Sequence, residues 1–126
     1  MAKETNIQNA ILRTFSRGKT RLFRNNTLQA TAGKVIQRKG TTWVIEKARP
    51  VRTGLCVGSS DIIGFKSLEI TPEHIGKTLA VFVAIEVKKP GGRLSQKQKT
   101  FLSIVKQFGG IAGVAKSESE AAELLK

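Results

Sequence analysis

The chain of 126 residues contains one cysteine, one tryptophan, one histidine, no tyrosine and three prolines. A single Cys56 permits no internal disulfide and no cysteine-built zinc site, and it fits a reducing compartment. His74 as the only histidine excludes His-rich metal centres and any Cys-His-His constellation. With Trp43 alone and Phe82, Phe101 and Phe108 reading as core, few side chains remain on which nucleobases could stack. No apolar run approaches the ~18 residues of a membrane span, and the N-terminus lacks a signal peptide's apolar core. Negative charge is scarce: 9 Asp+Glu stand against 22 Lys+Arg, a net charge of +13. Asp61 is the only aspartate.

The 40% hydrophobic content suffices for one core, and the length fits a single domain over residues 1–126. The positive charge is unevenly spread. Residues 1–52 carry 12 Lys+Arg and 2 acids, whereas residues 53–126 carry 10 and 7. A polyanion is the partner such a face selects, and nucleic acid is the foremost polyanion.

Periodicity predicts an amphipathic helix over 4–16, with Ile7, Ile11 and Phe15 on one stripe and a Thr5/Gln8 capping box at its start. Short strands are predicted over 21–25, 34–39 and 42–47, separated by turns at Asn25-Asn26, Gly33 and Gly40. Arg49-Pro50 reads as a break before a loop marked by Gly54 and Gly58, and residues 61–65 as the start of a strand. Residues 79–88 read as a ten-residue central strand covered on both faces, an antiparallel neighbour of 61–65. Ser95 and Gln98 form a capping box for a helix with Phe101, Leu102, Val105 and Phe108 inward, ended by Gly109-Gly110. A buried strand over 111–115 and a last helix capped by Ser117 and Glu120 follow. The order indicates an α/β fold, a mixed central sheet flanked by helices.

Five polar residues interrupt this pattern. Glu86 and Lys88 continue the face of Ala80, Phe82 and Ala84, roughly 7 Å apart along the strand. Glu4 falls near the centre of the first helix's stripe, and Gln98 points inward from the later helix. Asp61 sits where a loop enters a strand. Each has a plain explanation: the strand reaches solvent, Glu4 favours the helix dipole, Gln98 completes a cap, Asp61 bonds turn backbone. Metal-assisted phosphodiester hydrolysis explains them jointly. Asp61 and Glu86 suit Mg²⁺ or Mn²⁺, Lys88 suits a water or an anionic phosphate, Gln98 positions water or phosphate, and Glu4 holds a second metal or an outer water.

The ordered set Glu4-x-x-Ile7-Gln8, Gly58-x-x-Asp61, Ile85-Glu86-Val87-Lys88 and Arg93-Leu94-Ser95-x-x-Gln98 resembles the VRR-NUC (virus-type replication-repair nuclease) domain of the PD-(D/E)xK superfamily, in its small stand-alone form of phages and bacteria. The resemblance spans residues 4–125. It implies a restriction-endonuclease-like αβββαβ core, with Asp61, Glu86 and the Val87 carbonyl as metal ligands, Lys88 as the catalytic lysine, Gln98 as the helix glutamine and Glu4 as the helix-one acid. It also implies a homodimer acting on branched DNA, as in Holliday-junction resolvases. With no helix-turn-helix or zinc finger to read base edges, recognition of structure, a junction or flap, is expected over sequence, and the single cysteine fits the cytoplasm, the host's for a phage-encoded member. One departure is Ser60, where the family usually carries proline before the aspartate.

The basic residues Arg17, Lys19, Arg21, Arg24, Lys34, Arg38, Lys39, Arg49 and Arg52 are the expected DNA-backbone contacts, taken as a cluster. A non-enzymatic basic nucleic-acid-binding protein also accounts for the charge, but leaves Glu86, Lys88, Glu4 and Gln98 without a reason to stand in core phase. An inactive nuclease-fold scaffold is opposed by the intact Asp61, Glu86 and Lys88.

Overall fold

A computed structural model describes residues 3–126. The elements in chain order are helix α1 (Glu4–Phe15), strands β1 (Thr20–Arg24), β2 (Gln29–Lys39), β3 (Thr42–Arg52) and β4 (Ile62–Lys66), a 3-10 turn (Pro72–His74), strand β5 (Val83–Val87), helix α2 (Gln96–Gln107), strand β6 (Ile111–Ala115) and helix α3 (Glu118–Leu124). Among the described residues the strands form three two-stranded sheets, β1 with β4, β2 with β3 and β5 with β6, where one mixed sheet was expected. No described helix is long and apolar enough to cross a membrane.

The chain divides into two compact units. The first runs to Arg17 and continues over Leu22–Gly64, and the second comprises Gly18–Arg21 and Phe65–Lys126. Within the first, α1 starts one residue earlier than its predicted cap. Lys3 is the N-cap, with no side-chain bond, so Thr5 lies inside the helix and the Thr5/Gln8 box does not form. The Ile7–Ile11–Phe15 stripe exists but buries nothing fully, since Ile7 is 51% exposed and Phe15 60%.

The β2–β3 hairpin is longer than the sequence suggests. Its strands pair antiparallel from Gln29↔Arg52 to Lys39↔Thr42, so Pro50 lies within β3, opposite Thr31. A two-stranded ribbon has open edges, where a proline lacking its N–H is tolerated. Gly33, expected in a turn, instead stands within β2 at an irregularity between Ala32 and Lys34. A Cβ there would collide with the Ile45 side chain and the Glu46 carbonyl. A second irregularity separates Val35 from Gln37, and bulges of this kind bend and twist a ribbon. The turn itself is Gly40-Thr41, with Gly40 at φ 57°.

In the second unit β5 and β6 pair parallel, Val83↔Ile111 to Val87↔Ala115, joined by α2 as the crossover. The expected ten-residue strand is therefore five residues long. Extended backbone becomes strand only where its N–H and C=O groups find a ladder, and β6 offers five positions. Nor does it neighbour β4, which pairs with β1. Neighbouring residues of a ladder share a face, so Ala84 and Glu86 stand beside Ala112 and Val114. That face meets α2 through Leu102 and Val105, with Phe82, Phe65 and Leu94 packed at its margin. On the other face Leu124 of α3 lies against Gly113, where no Cβ would fit. Above β5 this face is covered only in part: Ile85 is half-buried, but Val83 is 41% exposed and Val87 74%, so the two faces of β5 are not equally covered.

Candidate active site

Glu86 lies near the C-terminal end of β5 on its α2-facing side, and the chain folds back to meet it. After β5, Lys89-Pro90-Gly91-Gly92 makes a turn closed by Gly92 N–H donating to the Lys89 carbonyl at 2.9 Å, with Gly91 at φ 79°. Proline second and a positive-φ glycine third are what a type II turn requires. The return leads directly into α2. Ser95 Oγ accepts from the Gln98 N–H at 3.1 Å, and Gln98 Oε1 accepts from the Ser95 N–H at 2.9 Å. This reciprocal cap orients the Gln98 amide, leaving its Nε2 to donate to Glu86 Oε1 at 2.8 Å. The capping explanation and the site explanation for Gln98 are thus both satisfied by one side chain, through its two ends.

Lys88 follows on the same face, its Nζ 3.5 Å from the same Glu86 Oε1. Both side chains are mostly buried, Lys88 retaining 23% exposure and Glu86 31%. One carboxylate oxygen therefore faces two donors. Among the described residues of this unit, nothing bonds the other, Oε2. The ladder also says where the β5 carbonyls point. Ile111 N–H donates to Phe82 and Lys88 N–H to Ala115, so even-numbered positions bond β6. In a parallel ladder the alternate residues turn their backbone groups away, which puts the Val87 carbonyl on the open edge of this two-stranded sheet.

Asp61 belongs to the other unit, at the end of the loop preceding β4. Its side chain is exposed and makes no hydrogen bond or ion pair among the described residues, so the turn-capping role that sequence offered for it is not used. The loop is held from elsewhere. Asn25 is 5% exposed, the one buried polar side chain among the described residues. Its Nδ2 donates to Ser59 Oγ at 2.7 Å and to the Ser60 carbonyl at 2.8 Å. Its Oδ1 accepts the Leu55 N–H at 2.9 Å, and its own N–H donates to the Asp61 carbonyl at 2.8 Å. Gly54, at φ 79°, is compressed against Asn25 Oδ1 and the Asn26 carbonyl, where a Cβ would clash. Asn25 was read from sequence as a turn residue. Nothing local distinguishes it, because its partners lie 30 and more positions away.

Glu4 is the first residue of α1 and is exposed, placed where a helix dipole favours a carboxylate. The nine predicted backbone-contacting cations differ in their commitments. Arg24 donates to Gln8 Oε1 and Asn9 Oδ1 of α1. Arg21 lies over the Phe108 ring at 4.8 Å and donates to the Gly18 and Thr20 carbonyls. Arg38 lies over Trp43 at 4.7 Å. Arg17, Lys19, Lys34, Lys39, Arg49 and Arg52 are exposed, and their side chains make no hydrogen bond or ion pair among the described residues.

Chemically, Glu86 Oε2 and the outward Val87 carbonyl of this unit are hard oxygens of the kind Mg²⁺ and Mn²⁺ take, with the ammonium of Lys88 on the same face as Glu86; the exposed Asp61 carboxylate of the other unit is an oxygen donor of the same kind. Oxygen donors of this chemistry suit such a cation, while among the described residues no three His, Cys, Asp or Glu side chains gather into a ready-made cage. No curated protein and no solved structure matches the chain. The model of the VRR-NUC domain matches residues 2–119, nearly the whole length, with the Glu86-Val87-Lys88 strand and the Gln98 helix inside the matched region. By that match the chain belongs to the VRR-NUC domain family, whose function is of the nuclease type.

Proposed function

We propose that this protein is a Mg²⁺- or Mn²⁺-dependent endodeoxyribonuclease that hydrolyses phosphodiester bonds, selects branched DNA such as junctions or flaps, and works as a homodimer. Residues 1–126 act as one nuclease domain in this reading, in the cytoplasm, where the exposed thiol of Cys56 suits a reducing milieu. The observation that carries it is the convergence of Gln98 and Lys88 on one oxygen of a mostly buried Glu86, with the other oxygen left for a ligand.

Asp61, Glu86 and the Val87 carbonyl would hold the cation, and Glu4 an outer water or a second ion. A cation so held supplies a water of lowered pKa and offsets charge on the phosphate. Gln98 fixes the rotation of the Glu86 carboxylate, so that Oε2 presents its lone pairs in one direction. Lys88 stabilises the negative charge that grows on the phosphate oxygens. Asn25 sets the backbone from which Asp61 projects. The exposed cations Arg17, Lys19, Lys34, Lys39, Arg49 and Arg52 contact phosphates, with Arg21, Arg24 and Arg38 divided between DNA and their own intramolecular partners.

The test incubates the purified protein with a four-way junction, a flap and a linear duplex in Mg²⁺, Mn²⁺ or EDTA, beside Asp61→Ala and Glu86→Ala. Cleavage of branched substrates is expected with metal, and none in EDTA or in either variant, while both variants still bind DNA. Cleavage that persists in EDTA or in the variants removes the metal assignment. Binding without cleavage of any substrate favours the non-enzymatic basic protein. Lys88→Ala should bind normally and cut poorly. Light scattering reporting a monomer, free and on DNA, removes the homodimer.

A further inference from the structure

We propose that Trp43, at the tip of the β2–β3 hairpin, stacks on an unpaired nucleobase, and that this contact lets the protein distinguish opened DNA from closed duplex. The second half of the statement rests on the nuclease reading above; the first does not. Trp43 stands two residues from the Gly40-Thr41 turn, opposite Arg38 in the register. It is 54% exposed even though the Arg38 guanidinium covers part of its ring at 4.7 Å. Ile36 and Val44 nearby are exposed as well, Val44 on the ribbon's opposite face. Near its turn the ribbon therefore presents an indole that its own unit leaves half exposed.

Charge decides what kind of neighbour this tip meets. Residues 29–52 hold six Lys+Arg and one acid, and that acid, Glu46, lies opposite Lys34. A partner must offer an apolar, preferably flat surface close to negative charge. A nucleobase beside its phosphate is such a partner, since every base has a π-face and every linkage a charge. Arg38 contributes twice: cation–π contact holds the indole in one orientation, and its N–H groups, unbonded to other described side chains, are left for a flanking phosphate. The two irregularities in the ladder oppose a competing mode, strand addition along the ribbon edge, because they break the regular row of backbone groups. In an intact duplex the π-faces are hidden within the stack, so stacking on Trp43 requires an unpaired base, as at a fork or branch.

Trp43 is the only tryptophan, and there is no tyrosine, so the emission of the whole protein reports this one side chain. Intact protein in EDTA is titrated with a forked DNA bearing unpaired arms, with a blunt duplex of equal phosphate number, and with heparin, a polyanion without bases. The fork should quench the emission strongly, while duplex and heparin bind and leave it nearly unchanged. Trp43→Ala should lose about 5- to 100-fold of its affinity for the fork and stay within about 2-fold for the duplex, with Trp43→Phe between. Equal quenching by duplex, heparin and fork overturns the proposal, as does a Trp43→Ala variant that keeps its fork preference. So does an emission change that follows protein concentration without DNA, which would mark the tip as a contact between copies. Circular dichroism checks that the variants fold. Fork-specific quenching without cleavage in Mg²⁺ or Mn²⁺ upholds the stacking contact and refutes the nuclease reading. Cleavage with an unaltered fork preference in Trp43→Ala does the reverse.

Discussion

Among the described residues, the buried hydrophobic side chains of the unit built mainly on residues 65–126 are Leu102, Val105, Ala112 and Ala115, and the buried side chain of the unit built mainly on residues 22–64 is Asn25. One is organised by apolar contact between a helix and a sheet, the other by a backbone ladder and a hydrogen-bonded asparagine. The difference bears on function. A packed helix–sheet layer brings Gln98 and Lys88 onto the Glu86 carboxylate, the preorganisation that the proposed reaction at a phosphate would use. A ribbon with an exposed basic surface is suited to following a nucleic acid backbone, which requires reach and charge.

The comparison can be broken by experiment. The largest effect is expected for Leu102→Ala, which removes a core side chain between α2 and the β5–β6 sheet and should cost about 2–4 kcal/mol. Hydrogen exchange should show β5 and β6 losing protection while β2 and β3 keep theirs. Equal loss in both would mean that the units unfold as one body. Asn25→Ala comes next, at about 1–3 kcal/mol, because the Leu55 N–H and Ser60 carbonyl lose their buried partner. Limited proteolysis should open residues 54–61 first, and cleavage of DNA should fall with binding kept. Asn25→Asp should behave similarly, since it replaces the donor facing the Ser60 carbonyl with an acceptor.

Gln98→Ala is a smaller change, about 1–2 kcal/mol from the lost cap and the lost bond to Glu86, read from the thermal midpoint. Gln98→Glu sharpens it. The carboxylate can still accept the Ser95 N–H, but it brings like charges together at Glu86, so cleavage should stay low even where stability recovers. Smallest is Trp43→Ala, expected within about 0.5 kcal/mol of wild type in denaturant unfolding, because an exposed tip residue supports little of the fold.

The arrangement of several candidate-site residues was legible in the chain. Glu86 and Lys88 were identified by alternation along a strand, and both lie on the predicted face. Ser95 and Gln98 were identified by cap spacing, and the cap forms. The helix over 4–16 is present within a residue, yet its stripe is left largely exposed, since amphipathicity says which face is apolar and not whether anything covers it. Pro50 and Gly33 misled for a related reason. Both are turn formers by local preference, but an open ribbon edge accepts proline, and the close approach of Ile45 makes glycine necessary inside the strand.

The sequence by itself determined where each helix and strand would centre, where the helices of the second unit are capped, and which polar residues stand in apolar phase. These depend on neighbours within a turn or a pleat, a few residues apart. Tertiary structure alone decided that residues 79–82 stay outside the ladder, that Gln98 reaches across 12 positions to Glu86, and that Asn25 binds a loop 30 to 35 positions away. Such contacts depend on how the chain closes on itself, and that closure is set by the ladders and turns together, not by the residue types at either end.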